Sequence, residues 1–405
     1  MRILFLVHRT PYPPNKGEKI RALWELRELS RKHDVDLFCF YDDADDEKYS
    51  RELKKYCRRY HSQKLSWFWS RARALRALAA GQCFTRSFFF SPAMARRINL
   101  AVRARSYDRV LVYSAAMAQY VENAQNVPRI LDLVDVDSDK WRQYAEKKTW
   151  PLSLIWEHEA KQLAEYEAFL VRTFSATAVC TLAEARLLRK NARSGRIEVL
   201  QNCVQVSEDE AGRNTHDLSS LQPYVLFSGS MDYFPNVDAV EYFYREVFPL
   251  ILQEVPGARF VVAGRNPARS ILSLRSDPAV RVTGNLKSMR PYICGAAVAV
   301  APMRIARGVQ NKILEALAAG TPVVCSKAAA TALDPQVRDL VNIADTPHEY
   351  SRAIVNIMRA GPAITPHALR VRFKRYVDDL DLAAQFEDLI TAPEPQHESV
   401  GVGGS

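Results

Sequence analysis

Lys312 and Glu315 are the residues of this chain best placed by type and spacing to do chemistry. They stand three positions apart in the run Gly308-Val309-Gln310-Asn311-Lys312-Ile313-Leu314-Glu315. Three residues along a helix bring two side chains onto one face, so a positive charge stands beside a hydrogen-bond acceptor. A helix begun after Gly308 offers unpaired amides around Val309, Gln310 and Asn311, and the positive end of its dipole, which suits phosphate. Glu315 can accept hydrogen bonds from sugar hydroxyls. Phosphate on one side and ribose on the other describes a nucleotide. The same segment also reads as an ordinary βαβ unit with a solvated ion pair, so its surroundings must decide.

Those surroundings alternate strand and helix. In the second half, apolar runs predict strands at 224–228, 259–263, 280–283, 297–301 and 322–325, with helices at 237–253 and 310–319. Near-continuous apolar strands, buried on both faces, mark a doubly wound parallel sheet, whose ligands sit beyond the strands' carboxyl ends. The loops to inspect are therefore Gly229-Ser230-Met231-Asp232, Gly264-Arg265-Asn266-Pro267, Gly284-Asn285-Leu286 and 302–312. Three of the four open with glycine, which lets backbone amides approach a ligand closely. Arg265 stands where a guanidinium could grip a diphosphate; alone it is equally a surface arginine.

The first half opens as strand, Pro-rich loop 11–17, helix 20–31 and strand 35–40. Further strands are expected at 109–113, 129–133, 176–180 and 197–201, with a long helix at 151–169. The polar, aperiodic stretch 206–222 reads as a linker. The organisation is thus an α/β domain over 1–205, the linker, and a second α/β domain over 223–375. A helix over 376–392 and a disordered tail over 393–405 follow. The expected class is two doubly wound Rossmann-like domains facing a cleft, and 405 residues suffice for two such cores.

Composition narrows the setting. Hydrophobic residues make up 48% and charged residues 25% of the chain, as in a water-soluble globular protein. Seven scattered cysteines without CxxC spacing favour a reducing cytosol over a disulfide framework or zinc site. Ile3 to Val7 is followed at once by His8 and Arg9, too short a run for a signal peptide or membrane span. Between Arg51 and Arg109 fifteen Lys or Arg face two acids, with Trp67-Phe68-Trp69 and Phe88-Phe89-Phe90 interleaved. That mixture suits an anionic membrane surface. It could also bind nucleic acid, or belong to amphipathic helices with a solvated basic face.

Taken together, Phe227-Ser228-Gly229-Ser230-Met231 with Pro235-Asn236, Phe260-Val261-Val262-Ala263-Gly264 with Pro267, Val282-Thr283-Gly284-Asn285, Val298 to Pro302, and Lys312 through Val324 resemble the family 4 glycosyltransferases. These are enzymes of the two-Rossmann GT-B fold that use nucleotide-sugar donors. The loop 11–17 and Leu200-Gln201-Asn202-Cys203-Val204 match more weakly. The resemblance implies a retaining, metal-independent hexosyltransferase that needs no cofactor beyond its nucleotide-sugar co-substrate. It places the donor diphosphate on Gly308 to Lys312, the ribose on Glu315, and Gly17 against the donor from the other domain. One departure is Arg307, where the family often has a second glutamate.

Asp132, Asp135 and Asp137 follow or end the strand expected at 129–133. Asp135-Val136-Asp137 has the DxD form that another transferase fold uses for a divalent cation, which the two-Rossmann organisation disfavours. Asp135 is read instead as positioning the acceptor hydroxyl or donor sugar, and Asp137 equally as a helix cap. Glu159 and Glu167 share one side of the long helix, read chiefly as a solvated face. His8 ends the first strand. The phrase 131–141 with Tyr144 and Ala145 resembles the subgroup of bacterial exopolysaccharide and PEP-CTERM clusters. A glycan or lipid-linked acceptor at the cytoplasmic face of the inner membrane follows, without nucleic acid. A nucleotide-sugar epimerase and a non-catalytic scaffold are the alternatives.

Overall fold

The computed structural model describes residues 1–14, 17–41, 50–104, 107–146, 149–202, 204, 216–286, 288–306 and 308–392. Arg307, Cys203, most of the stretch read as a linker, and the tail 393–405 lie outside them. The chain divides into two compact units, Met1–Cys203 joined by Leu382–Ser405, and Val204–Asp381.

The first unit is built on a seven-stranded sheet in the order β3-β2-β1-β4-β5-β6-β7. Its strands are β1 (Arg2–Val7), β2 (Asp34–Tyr41), β3 (Arg59–Lys64), β4 (Arg109–Tyr113), β5 (Arg129–Val134), β6 (Ala176–Val179) and β7 (Ile197–Val199). Every pairing is parallel. The order reverses between β1 and β4, the switch point at which such sheets bind ligands. Leu4 and Leu6 of β1, Val110 and Val112 of β4, and Leu131 of β5 are fully buried, and the Leu152–Thr173 helix adds Leu163, Leu170 and Val171.

The second unit repeats the design with six strands in the order β10-β9-β8-β11-β12-β13. They are β8 (Tyr224–Ser228), β9 (Arg259–Ala263), β10 (Val280–Val282), β11 (Val298–Ala301), β12 (Val323–Cys325) and β13 (Asn342–Ile343), again all parallel. Tyr224 to Phe227 and Phe260 to Ala263 are essentially fully buried, so both faces of the sheet are covered.

Four differences from the sequence reading have physical causes. β3 is an edge strand, Arg-Tyr-His-Ser-Gln-Lys, with no fully buried residue and hence no apolar signature. β13 is two exposed residues long. The boundary expected at 375 falls inside the Pro366–Leu380 helix, which ends at Asp381 in the left-handed conformation with φ 40°. The last helix, Leu382–Thr391, then packs on the first unit: Phe386 meets Trp24 at 5.3 Å and Arg109 donates to the Ile390 carbonyl at 3.1 Å. Among the described residues no helix is long and apolar enough to cross a membrane.

Candidate functional site

The nine candidate ligand-binding residues of the second unit lie at the carboxyl ends of β8, β9 and β11. β8 ends in Gly229 and Ser230, and β9 in Gly264 and Arg265. Gly308, Val309 and Gln310 lead from β11 into the Asn311–Ala319 helix, which carries Asn311, Lys312 and Glu315. The helix begins at Asn311, with Gln310 as its N-cap and no side-chain cap bond there.

The two glycine loops interlock. Gly229 and Gly264 have φ of 155° and 156°, a region L side chains rarely adopt. The Gly229 amide donates to the Ala263 carbonyl at 3.0 Å, Met231 N–H to the Arg265 carbonyl at 2.8 Å, and Ala268 N–H to the Met231 carbonyl at 3.0 Å. Ser230 Oγ donates to Asp232 Oδ1 at 2.8 Å, and Asn266 Nδ2 to Asp232 Oδ2 at 3.1 Å. The backbone of the loops is thereby fixed at the sheet edge.

Lys312 does not turn toward Glu315. Its Nζ donates to Asn236 Oδ1 at 2.7 Å and stands 4.1 Å from the centroid of the Phe227 ring, with Met303 Sδ at 3.6 Å. Asn236 is 7% exposed and its Nδ2 donates to the Ser230 carbonyl at 2.9 Å, tying the lysine to the first glycine loop. Burial pushes the Lys312 ammonium down to about 7, against the opposing pull of Glu315. Burial likewise pushes the Glu315 carboxyl up to about 7, with Lys312 pulling the other way. Both side chains are half-buried and neither forms an ion pair with the other, an arrangement that favours a ligand bringing its own negative charge and hydroxyl donors.

Residues 222–360 match the family model for glycosyl transferases group 1. All nine candidate residues of the second unit lie within the matched residues. No curated protein matches the chain by sequence. Solved structures match its fold over nearly the whole length. Sucrose-phosphate synthase from Thermosynechococcus elongatus has a TM-score of 0.68 at 14% identity, covering 96% of this chain and 98% of that one. Anabaena Alr3699/HepE, solved in complex with UDP-glucose, has a TM-score of 0.64 at 13% identity, covering 97% and 100%. WaaG, a glycosyltransferase involved in lipopolysaccharide biosynthesis, has a TM-score of 0.62 at 14% identity, covering 96% and 100%. Likeness at such identities is one of fold: two parallel-sheet Rossmann-like domains of the GT-B kind.

Sequence reasoning passed over the partners of Lys312. Phe227 and Asn236 carried part of the family resemblance without a role, and Met303 was not singled out. Their signal in the sequence was only their place at or just beyond strand ends. Arg304, in the loop after β11, pairs with Asp238 on the Phe234–Tyr242 helix and lies 5.2 Å from the Tyr242 ring.

The first unit holds the remaining candidates. Gly17 is the exposed first residue of the Gly17–Lys32 helix. Asp135 follows β5 in a strained backbone: Val134 has φ 66°, and the β5–β6 register shifts between Asp132 and Val134. Burial, then repulsion from Asp137, raise the Asp135 carboxyl. Burial and Asp135 push Glu184, its hydrogen-bond partner, up to about 8. Asp137 begins the Asp137–Glu146 helix, with Lys140 at 3.6 Å.

Asp132 is structural. Its Oδ2 accepts from Arg21 Nε at 2.6 Å and its Oδ1 from Val134 N–H at 2.8 Å. Arg21, 2% exposed, also donates to Glu25 at 3.3 Å and to the Leu200 carbonyl at 2.8 Å, binding the carboxyl ends of several strands together. The expectation of a solvated face for Glu159 and Glu167 is corrected, since both are fully buried. Glu159 accepts from the Phe84 and Thr85 amides at 2.7 and 2.9 Å, capping the Phe84–Phe88 helix. Glu167 accepts from Ser138 Oγ at 2.5 Å and Ser138 N–H at 3.2 Å, and burial pushes it up to about 8. His8 stacks on Tyr113 at 5.8 Å and lies 3.5 Å from Glu18. Burial alone would raise Glu18, but His8 and then Arg9 hold it below the usual carboxylate range.

Proposed function

We propose that the chain is a retaining, metal-independent hexosyltransferase that moves a sugar from a nucleoside diphosphate to a hydroxyl acceptor. The observation that carries this reading is Lys312 and Glu315 at a helix start beside two glycine loops, both partly buried and with no ion pair between them. In the transfer the bond from the anomeric carbon to the diphosphate oxygen breaks, and the acceptor oxygen bonds to that carbon. The acceptor proton passes to the diphosphate or to a carboxylate. The difficult part is the charge growing on the departing diphosphate. Lys312, the first-turn amides and Arg265 supply positive potential where it develops. Glu315 accepts from the ribose hydroxyls, while Gly229 and Ser230 bring backbone close to the donor.

The same proposal gives Asp135 the acceptor hydroxyl or the transferred sugar, and Gly17 a close backbone approach to the donor. The acceptor is a glycan or lipid-linked glycan of bacterial exopolysaccharide or cell-surface synthesis, met by a peripheral protein at the cytoplasmic face of an anionic inner membrane. The solved complex of HepE with UDP-glucose supports a uridine donor as the first to try.

Thermal unfolding with UDP, GDP and their sugars in the presence of EDTA tests the donor site. A ligand at a hundred times its Kd stabilises by about 2.7 kcal/mol. We expect one nucleotide to raise the melting temperature, and Lys312→Ala or Glu315→Ala to remove the response. No shift with any nucleoside diphosphate overturns the reading.

A further inference from the structure

The Trp67–Ala79 helix turns its largest apolar side chains outward. Its buried residues are Ser70 and Ala77, while Phe68, Trp69 and Leu75 are 73%, 62% and 67% exposed. At roughly 100° per residue, Phe68, Ala72, Leu75 and Ala79 form one exposed stripe. Exposed Arg71 borders it on one side, and exposed Arg76 and Trp69 on the other. The orientation is fixed from within: Arg73 donates to Ser70 Oγ at 3.1 Å and to the Ser87 carbonyl at 3.4 Å, and Trp67 meets Phe88 edge-on at 5.6 Å. A solvated helix would show the reverse pattern, with small or charged residues outward.

We propose that this face lies in the headgroup boundary of an anionic lipid bilayer. The proposal deepens the peripheral membrane placement above and rests on it in that respect. Charge complementarity selects the occupant. The segment 66–104 carries seven arginines and no Asp or Glu, so it complements phosphate headgroups. A second copy would set the same cationic rim against itself. Aromatic rings on an Arg-bordered stripe suit the interface between headgroups and acyl chains.

Flotation of the full chain with phosphatidylcholine vesicles, with and without phosphatidylglycerol, tests it. We expect flotation only with phosphatidylglycerol. Arg71→Gln with Arg76→Gln should weaken binding about 25-fold, near fivefold for each cation. Phe68→Ser, Trp69→Ser and Leu75→Ser together should abolish it, while an unchanged melting curve and UDP response show that the fold and donor site survive. A triple variant that floats like the parent overturns the proposal. So does a parent that binds no vesicle, that binds neutral vesicles equally well, or that is a dimer dissolved by the triple substitution. Flotation as expected without any nucleotide response leaves this surface standing and removes the donor reading instead.

Discussion

Gly264→Ala probes the interlocked glycine loops directly. A Cβ at Gly264 would stand 1.6 Å from the Gly229 carbonyl oxygen and 2.8 Å from its carbon. The oxygen cannot retreat freely, because the Gly229 amide is bonded to Ala263 and a Cβ on Gly229 would itself meet Asn236 Nδ2 at 2.7 Å. Relief requires the β8 and β9 loops to part. Holding alanine at φ 156° costs roughly 1–3 kcal/mol, and overpacking against backbone adds about 1–3 kcal/mol. The sum is about 2–6 kcal/mol, or a fall of roughly 5–20 °C in the melting of a unit this size. Circular dichroism melts of Gly264→Ala beside Gly257→Ala measure it. Gly257 is the control, since a Cβ there meets nothing within 4 Å. Nucleotide response should fall in parallel, because Ser230 and Asn236 move with the loop. If the two alanine variants melt within a degree or two of each other, the close approach of these backbones is wrong.

Four further outcomes follow from the same geometry. Lys312, pushed down to about 7, is mostly neutral at pH 8, and a bound diphosphate favours its charged form. UDP binding at pH 8, where Glu315 is already ionised, should therefore take up protons. Calorimetry at pH 8 in buffers of different ionisation enthalpy reads this, and no buffer dependence refutes it. Asn236→Asp sets a carboxylate where Asn236 Oδ1 now stands 2.7 Å from Lys312 Nζ, which raises the lysine and engages it. UDP affinity should drop tenfold or more, and unchanged affinity would show that Lys312 does not meet the nucleotide. Arg21→Met strands Asp132 and Glu25 in the interior and should cost about 3–5 kcal/mol in urea unfolding; a loss below 1 kcal/mol would mean the triad is dispensable. Incubation with the sugar donor alone should return the same sugar, whereas a stereoisomer would identify an epimerase.

The strands of both sheets were largely legible because burial on both faces writes itself as continuous apolar runs, as in Phe260 to Ala263. Edge strand β3 was not, since half its surface needs no apolar residue. Lys312 and Glu315 were legible as a pair through helical spacing, yet spacing could not say what each would touch. Glu159 and Glu167 show the same limit: periodicity put them on one side of a helix, but not what covers that side.

The sequence by itself determined two α/β units, the glycine loops at the strands' carboxyl ends, and the lysine and glutamate at a helix start, because these depend on local periodicity and on residue type. The tertiary structure decided that Lys312 faces Asn236, 76 residues away in sequence, and that Gly264 abuts Gly229. It also decided that the Trp67–Ala79 helix shows its rings to solvent. Each of these depends on which segments the chain brings together, and burial, desolvation and charge pairing exist only once that packing is made.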